Sequence, residues 1–200
     1  RLESSPRVLL ADTIGFIDGL PNATLEAFRA TLAEAIECDL LLLLVDAGDP
    51  IDEMERKLLT SIRELTERAL EVDETSIMER IQLVLTKRDT VDETTIESKK
   101  AMISEHGFSN PLFISSHSGK GIEALQSVVL HTLFGPKRTL FIHNPEPNQM
   151  ASEAILSRIF DAVYVHEHEK NENGIEVRIS ASDETIAILN SNYGQRIELK

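Results

Sequence analysis

A single cysteine, Cys38, stands in 200 residues. No internal disulfide can form, and the expected setting is a reducing one, the cytoplasm or, in a eukaryote, the mitochondrial matrix. Positive charge is scarce: 20 Lys and Arg face 34 Asp and Glu, a net charge of −14. That balance excludes a broad nonspecific grip on phosphate backbone, which comes from cations neutralising phosphates. It leaves room for a local basic contact or a protein partner. Long apolar runs are also missing. The greasiest segment, 40–45, falls far short of the ~20 residues a membrane span needs, so no membrane association is expected and the segment reads as a buried strand. There is no signal-peptide pattern and no initiator Met; Arg1 opens close to the first apolar run, as if the front of a domain were missing. A phosphate-binding loop of the form Gly-x-x-x-x-Gly-Lys-Ser/Thr is absent. Gly119-Lys120-Gly121 suggests one, but Ile114 stands where the first Gly belongs and no Ser or Thr follows Lys120.

What is present is alternation. Short apolar runs at 8–11, 40–45, 81–85 and 112–115 are separated by segments with apolar residues at helical spacing. These read as βαβ units on a mainly parallel sheet. Leu25, Phe28, Leu32 and Ile36 form one helical stripe after Leu20-Pro21-Asn22. Met54, Leu58, Ile62, Leu65 and Ala69 form another after Asp49-Pro50. Helices are also expected over 92–105 and over 121–133, the latter turning Ile122, Leu125 and Val129 inward. Gly135-Pro136-Lys137-Arg138 breaks the rhythm, so the expected domains are 1–135 and 136–200. The second reads as a small α+β unit: a strand over 139–143, a helix over 149–160, a hairpin of 162–168 and 174–180 with Asn173-Gly174 at its turn, and a last helix capped by Asp183.

Three polar motifs close three of the apolar runs, at the edge where open α/β sheets bind ligands. The first is Asp12-Thr13-Ile14-Gly15-Phe16: a carboxylate that could hold Mg²⁺ through its water shell, and a glycine whose bare backbone could approach a phosphate closely. The second is Thr86-Lys87-Arg88-Asp89. A carboxylate there can accept two parallel hydrogen bonds from guanine, a pair that adenine does not offer. The Lys87 stem can lie along the base while its ammonium stays wet. The third is Ser115-Ser116-His117-Ser118-Gly119, in which the Ser116 amide would face the guanine carbonyl. Taken singly, each also reads as a polar loop after a strand. In this order they read as the Mg²⁺, base and base-backing elements of a GTPase, with Thr86 where Asn is usual and Ser116 where Ala is usual. The phosphate loop of such a protein would precede Arg1. His166 and His168 alternate on one strand, but with no further Cys or His nearby they read as an exposed hairpin face. The acidic residues of 52–79 are interleaved with Lys57, Arg63 and Arg68 and read as a solvated helix face.

Asp12-Thr13-Ile14-Gly15-Phe16-Ile17, Leu20-Pro21, Ala27-Phe28-Arg29-Ala30-Thr31-Leu32 and Cys38-Asp39-Leu40 leading to Val45-Asp46-Ala47 together closely resemble HflX-type GTPases. The resemblance covers 8–133 well and the tail only in its order of elements. It implies a P-loop GTPase-type α/β fold with a small α+β C-terminal domain, a cytoplasmic protein hydrolysing GTP to GDP with Mg²⁺, and action on the large ribosomal subunit, where members of the family split stalled or idle ribosomes. It implies that Asp12 holds the Mg²⁺ shell and that the Gly15 amide meets the γ-phosphate, making Gly15 the catalytic-loop residue. Thr86, Lys87, Asp89, Ser115 and Ser116 would hold the base. Phe16 replaces the water-orienting Gln of many GTPases, which implies slow hydrolysis without help. Residues 1–200 alone are expected to be inactive. The competing reading is a non-enzymatic ribosome- or protein-binding remnant.

Overall fold

The computed structural model describes residues 6–13, 35–146 and 150–200. Gly15, Phe16 and nearly all of the expected helix after Leu20-Pro21 lie outside the described residues. The described residues fall into two compact units, one within Leu10–Ser127 and the other Val128–Lys200 together with those up to Leu9.

In the first unit, β1 (Leu41–Asp46), β2 (Ile81–Thr86) and β3 (Leu112–Phe113) form a parallel sheet in the order β1-β2-β3. The middle strand is nearly a continuous apolar run, as a strand flanked on both sides requires; Leu83, Val84 and Leu85 are all buried. Helix α1 (Ile51–Glu71) presents Met54, Leu58, Ser61, Leu65 and Ala69 along one stripe, and only Ile62 of the expected set is half-buried instead. A short α2 (Ile77–Arg80) leads into β2. Helix α3 (Glu93–Glu105) starts where the Asp92 carboxylate accepts the Thr95 amide at 2.8 Å, satisfying a donor that a helix start leaves unpaired. Leu43, Val45, Met54, Leu58, Leu65, Leu83, Leu85, Met102, Ile103 and Phe108 share one core.

Two expectations for this unit change. Residues 6–13 carry no strand, and Leu9 and Leu10 are 93% and 85% exposed. A strand exists through its ladder, and the run 8–11 has no partner among the described strands; apolarity alone supplies no hydrogen bonds. Helix α4 (Ile122–Phe134) buries no residue fully, so Ile122, Leu125 and Val129 are only half-covered. The division between the units falls inside this helix, whose last turn precedes Gly135-Pro136.

In the second unit, β4 (Lys137–His143), α5 (Ser152–Ala162), β5 (Tyr164–Asn171), β6 (Gly174–Ser180), α6 (Asp183–Tyr193) and β7 (Ile197–Leu199) follow a βαββαβ path. The antiparallel sheet has the order β5-β6-β4-β7, the arrangement of ferredoxin-like units. Leu140, Ile142, Ile155, Ile159, Val177, Ile179, Ile186 and Leu189 belong to its core. The hairpin turns one residue earlier than its Asn-Gly pair suggests: Asn171 faces Gly174, leaving Glu172 and Asn173 in the loop. Gly174 is needed in the strand instead. Its φ is +156°, and a Cβ there would stand 2.0 Å from the Ile142 carbonyl oxygen of the adjoining β4. Helix α6 is capped by Ser182, whose hydroxyl accepts the Thr185 amide at 3.2 Å, and Asp183 is its first residue. His166 sits at a bulge between Val165 and Glu167, where its Nε2 lies 2.9 Å from the Ser180 hydroxyl.

Candidate functional site at the carboxyl edge of the parallel sheet

Asp46 pairs with Thr86 and Leu85 with Phe113. All three strands therefore end at one edge, and the loops that follow them meet there. The Thr86 hydroxyl donates to the Val45 carbonyl at 3.2 Å, a cross-strand tie. Lys87 then takes a left-handed conformation, φ 55°, which turns the chain out of the strand and into the 3-10 turn Arg88–Thr90. The Arg88 amide donates to the Ile114 carbonyl at 2.9 Å, joining the second motif to the third. Its buried guanidinium donates to the Val91 carbonyl and pairs with Glu93 at the start of α3.

Asp89 is exposed at the tip of this turn. The Ser115 hydroxyl first, then Asp89's own amide and, more weakly, the field of His117, hold the carboxyl below the usual carboxylate range against desolvation. Ser115 is fully buried. Its hydroxyl accepts the Ser118 amide at 3.0 Å, its amide donates to the Lys120 carbonyl at 2.9 Å, and its carbonyl accepts the Gly119 amide at 2.9 Å. The third loop is thus closed on itself around Ser115, with Ser116 exposed beside it. Thr86, Lys87 and Asp89 thus stand at the same sheet edge as Ser115 and Ser116. Asp12 is exposed, outside any strand, and Gly15 lies outside the described residues.

Two residues of this edge escaped sequence reading. Asp46, at the end of β1, holds the Lys87 ammonium at 2.5 Å through Oδ2 and accepts the Gly48 amide at 2.8 Å through Oδ1. Desolvation pushes the Asp46 carboxyl up, but the Lys87 and Gly48 hydrogen bonds outweigh it and the net shift is downward. The same bond raises the Lys87 ammonium. Lys99, on α3, is 3% exposed; its ammonium donates to the Ala47 carbonyl and, at 2.6 Å, to the Asp49 carbonyl. Its only sequence signal is a cation on the helix's buried stripe with Ile96, Met102 and Ile103. Among the described residues no group of three or more His, Cys, Asp or Glu is placed to hold a metal. A single carboxylate such as Asp12 has the oxygen chemistry that Mg²⁺ prefers, but the described residues assemble no site around it.

No family model matches the chain. Curated relatives do. A Thermococcus kodakarensis protein named GTPase HflX is 34% identical over 173 residues, covering 82% of this chain and 38% of the relative. A GTPase HflX of Gluconacetobacter diazotrophicus is 27% identical over 194 residues, 97% of this chain and 39% of the relative. One from Thermofilum pendens is 38% identical over 126 residues, 63% of this chain and 28% of the relative. The chain is of the HflX type. It spans well under half the length of these HflX relatives. Among solved structures, a variant of SsGBP superposes on 60% of this chain and 42% of its own, at 23% identity and a TM-score of 0.46. Translation elongation factor SelB from Methanococcus maripaludis, solved with a GTP analogue, covers 79% of this chain and 41% of its own at 15% identity and a TM-score of 0.36. At those scores the HflX assignment rests on sequence. No described helix is long and apolar enough to cross a membrane.

Proposed function

We propose that this edge holds the guanine base of GTP and GDP in a GTP-hydrolysing protein that acts on the large ribosomal subunit. The supporting observation is the Arg88 amide's hydrogen bond to the Ile114 carbonyl, which sets the exposed Asp89 carboxylate at the meeting point of two loops. An ionised carboxylate is a pure acceptor with two oxygens and matches the two parallel N–H donors of guanine. Lys87 lies beside it with its stem free to cover the base, and the Ser116 amide is available to the guanine carbonyl. The site residues in this reading are Thr86, Lys87, Asp89, Ser115 and Ser116 for the base, Asp12 for the water shell of a Mg²⁺ that arrives with the nucleotide, and Gly15 for the γ-phosphate. The last two rest on their motif, and ribosome action rests on the HflX resemblance. The domains are taken as 1–135 and 136–200, in a cytoplasmic protein.

The test is Asp89→Asn in a protein of the HflX relatives' full length that contains this chain. GTP and GDP should weaken by the same factor in a fluorescent-GDP displacement assay, because both lose the same base contact. A loss confined to GTP would exclude Asp89 as the base reader. Sedimentation with isolated large subunits, with GDP and with a non-hydrolysable GTP analogue, tests the ribosomal part. Equal, negligible recovery in both states would remove it.

A further inference from the structure

A lysine with 3% exposure is costly, because its ammonium leaves water. Among the described residues Lys99 meets no carboxylate directly; its two acceptors there are the backbone carbonyls of Ala47 and Asp49. Desolvation accordingly lowers its pKa, with the fields of Asp49 and Asp46 opposing. An apolar side chain of similar length would fill the same stripe of α3 without that cost, so packing alone gives no reason for a cation here. The loop it grips gives one. Residues 46–49 follow β1 and carry Asp46, the carboxylate that holds Lys87. Gly48 is packed so closely that a Cβ there would stand 3.1 Å from the Thr90 hydroxyl and 3.2 Å from Asp46 Oδ1. The loop therefore lies against the turn Arg88–Thr90 on one side and against the Lys99 ammonium on the other. The start of α3 is in turn fastened to that turn by Glu93 and Arg88. The links close into a ring: base motif, α3, Lys99, the 46–49 loop, Asp46 and back to Lys87.

We infer that Lys99 is a positioning residue of the guanine site, fixing the 46–49 loop so that Asp46 sets where the Lys87 side chain lies. The inference rests on the base-site reading above. It extends it to a side chain that touches no nucleotide and acts through two others.

The experiment separates the two. Lysine side chains of this chain are observed by NMR in the parent, Lys99→Met, Lys99→Arg and Asp46→Asn forms, and the Lys87 titration midpoint is read. The Lys87 ammonium faces the Asp46 and Asp49 carboxylates and, opposing them, the Lys57 ammonium. Lys99→Met should move the Lys87 midpoint downward, as Asp46→Asn does, while Lys99→Arg, which keeps donors for both carbonyls, should restore most of it. An unmoved Lys87 midpoint in Lys99→Met, with a moved one in Asp46→Asn, overturns the inference. Should Lys99→Met not fold, Lys99→Gln, which keeps a donor for one carbonyl, is read against the same criterion. In the full-length protein, Lys99→Met should weaken GDP about fivefold, the equivalent of one ordinary hydrogen bond. Weakened GDP with Asp89→Asn but not with Lys99→Met rejects the positioning role. A shifted Lys87 signal with GDP unaffected by both variants rejects the base site and keeps the coupling.

Discussion

Gly119 and Gly121 flank Lys120, and both have positive φ, +75° and +79°. A side chain added at either meets the same left-handed penalty, roughly 1–2 kcal/mol for a non-glycine residue. Their surroundings differ. A Cβ on Gly119 has nothing within 4 Å, whereas one on Gly121 would lie 2.2 Å from the Phe113 carbonyl oxygen and 3.2 Å from Ile114 Cα. Backbone cannot rotate aside as a side chain can, so the strand end must shift, at an overpacking cost of about 1–3 kcal/mol. Gly119→Ala should thus lose about 1 kcal/mol and Gly121→Ala about 2 kcal/mol more, read by urea denaturation with unchanged m-values. The difference has a functional counterpart. β3 pairs with β2 at just two positions, Val84–Leu112 and Leu85–Phe113, and Ser115 stands two residues beyond it, so Gly121→Ala should also weaken GDP in the full-length protein where Gly119→Ala does not. Equal destabilisation by the two alanines would refute the close-approach argument. It would leave the glycines explained by φ alone.

Three further outcomes follow from particular side chains. Lys99 has a folded-state pKa below its ordinary 10.5 because of burial; between the two values the unfolded chain binds the extra proton, so stability attributable to Lys99 rises with pH there, and the free-energy difference between parent and Lys99→Met should change across that window in denaturation series and be flat below it. Asp46 has a folded pKa below its ordinary 3.8, so its contribution is present above that value and lost as pH falls through the folded one; Asp46→Asn should blunt the acid limb of unfolding, and an unchanged limb would mean that the Lys87 bond contributes nothing. Ser182→Ala removes the α6 cap and should cost about 1 kcal/mol, whereas Ser182→Asp should be nearly neutral in the same melts.

Continuous apolar runs found β1 and β2, and a helical stripe found α1, because each is long or strongly apolar on one side. The run 8–11 misled because a strand needs a neighbour, which local sequence does not report. β7 was missed for a related reason: Ile197-Glu198-Leu199 is too short for a pattern and owes its structure to pairing with Leu140, Phe141 and Ile142. At the candidate site, the motifs proposed to hold the base were legible as contiguous residues after apolar runs. Asp46 and Lys99 were not, since what makes them matter is contact across 41 residues to Lys87 and across 50 or more to the loop. A carboxylate at a strand end and a lysine on a helix carry no mark of that in their neighbours.

The second unit's strand order has a consequence for how it is made. β4 is the first of its strands to be synthesised, yet it lies between β6 and β7, the two partners that arrive later. Until residue 199 has left the ribosome, Leu140, Phe141 and Ile142 lack the neighbour that will occupy that side, and the nascent sheet presents an open edge to any chain nearby. Its pairings also join residues far apart along the chain, Leu140 with Leu199 among them, a high contact order that slows closure relative to helix-rich folding. A stall late in its translation therefore leaves a three-stranded sheet with an open, aggregation-prone edge.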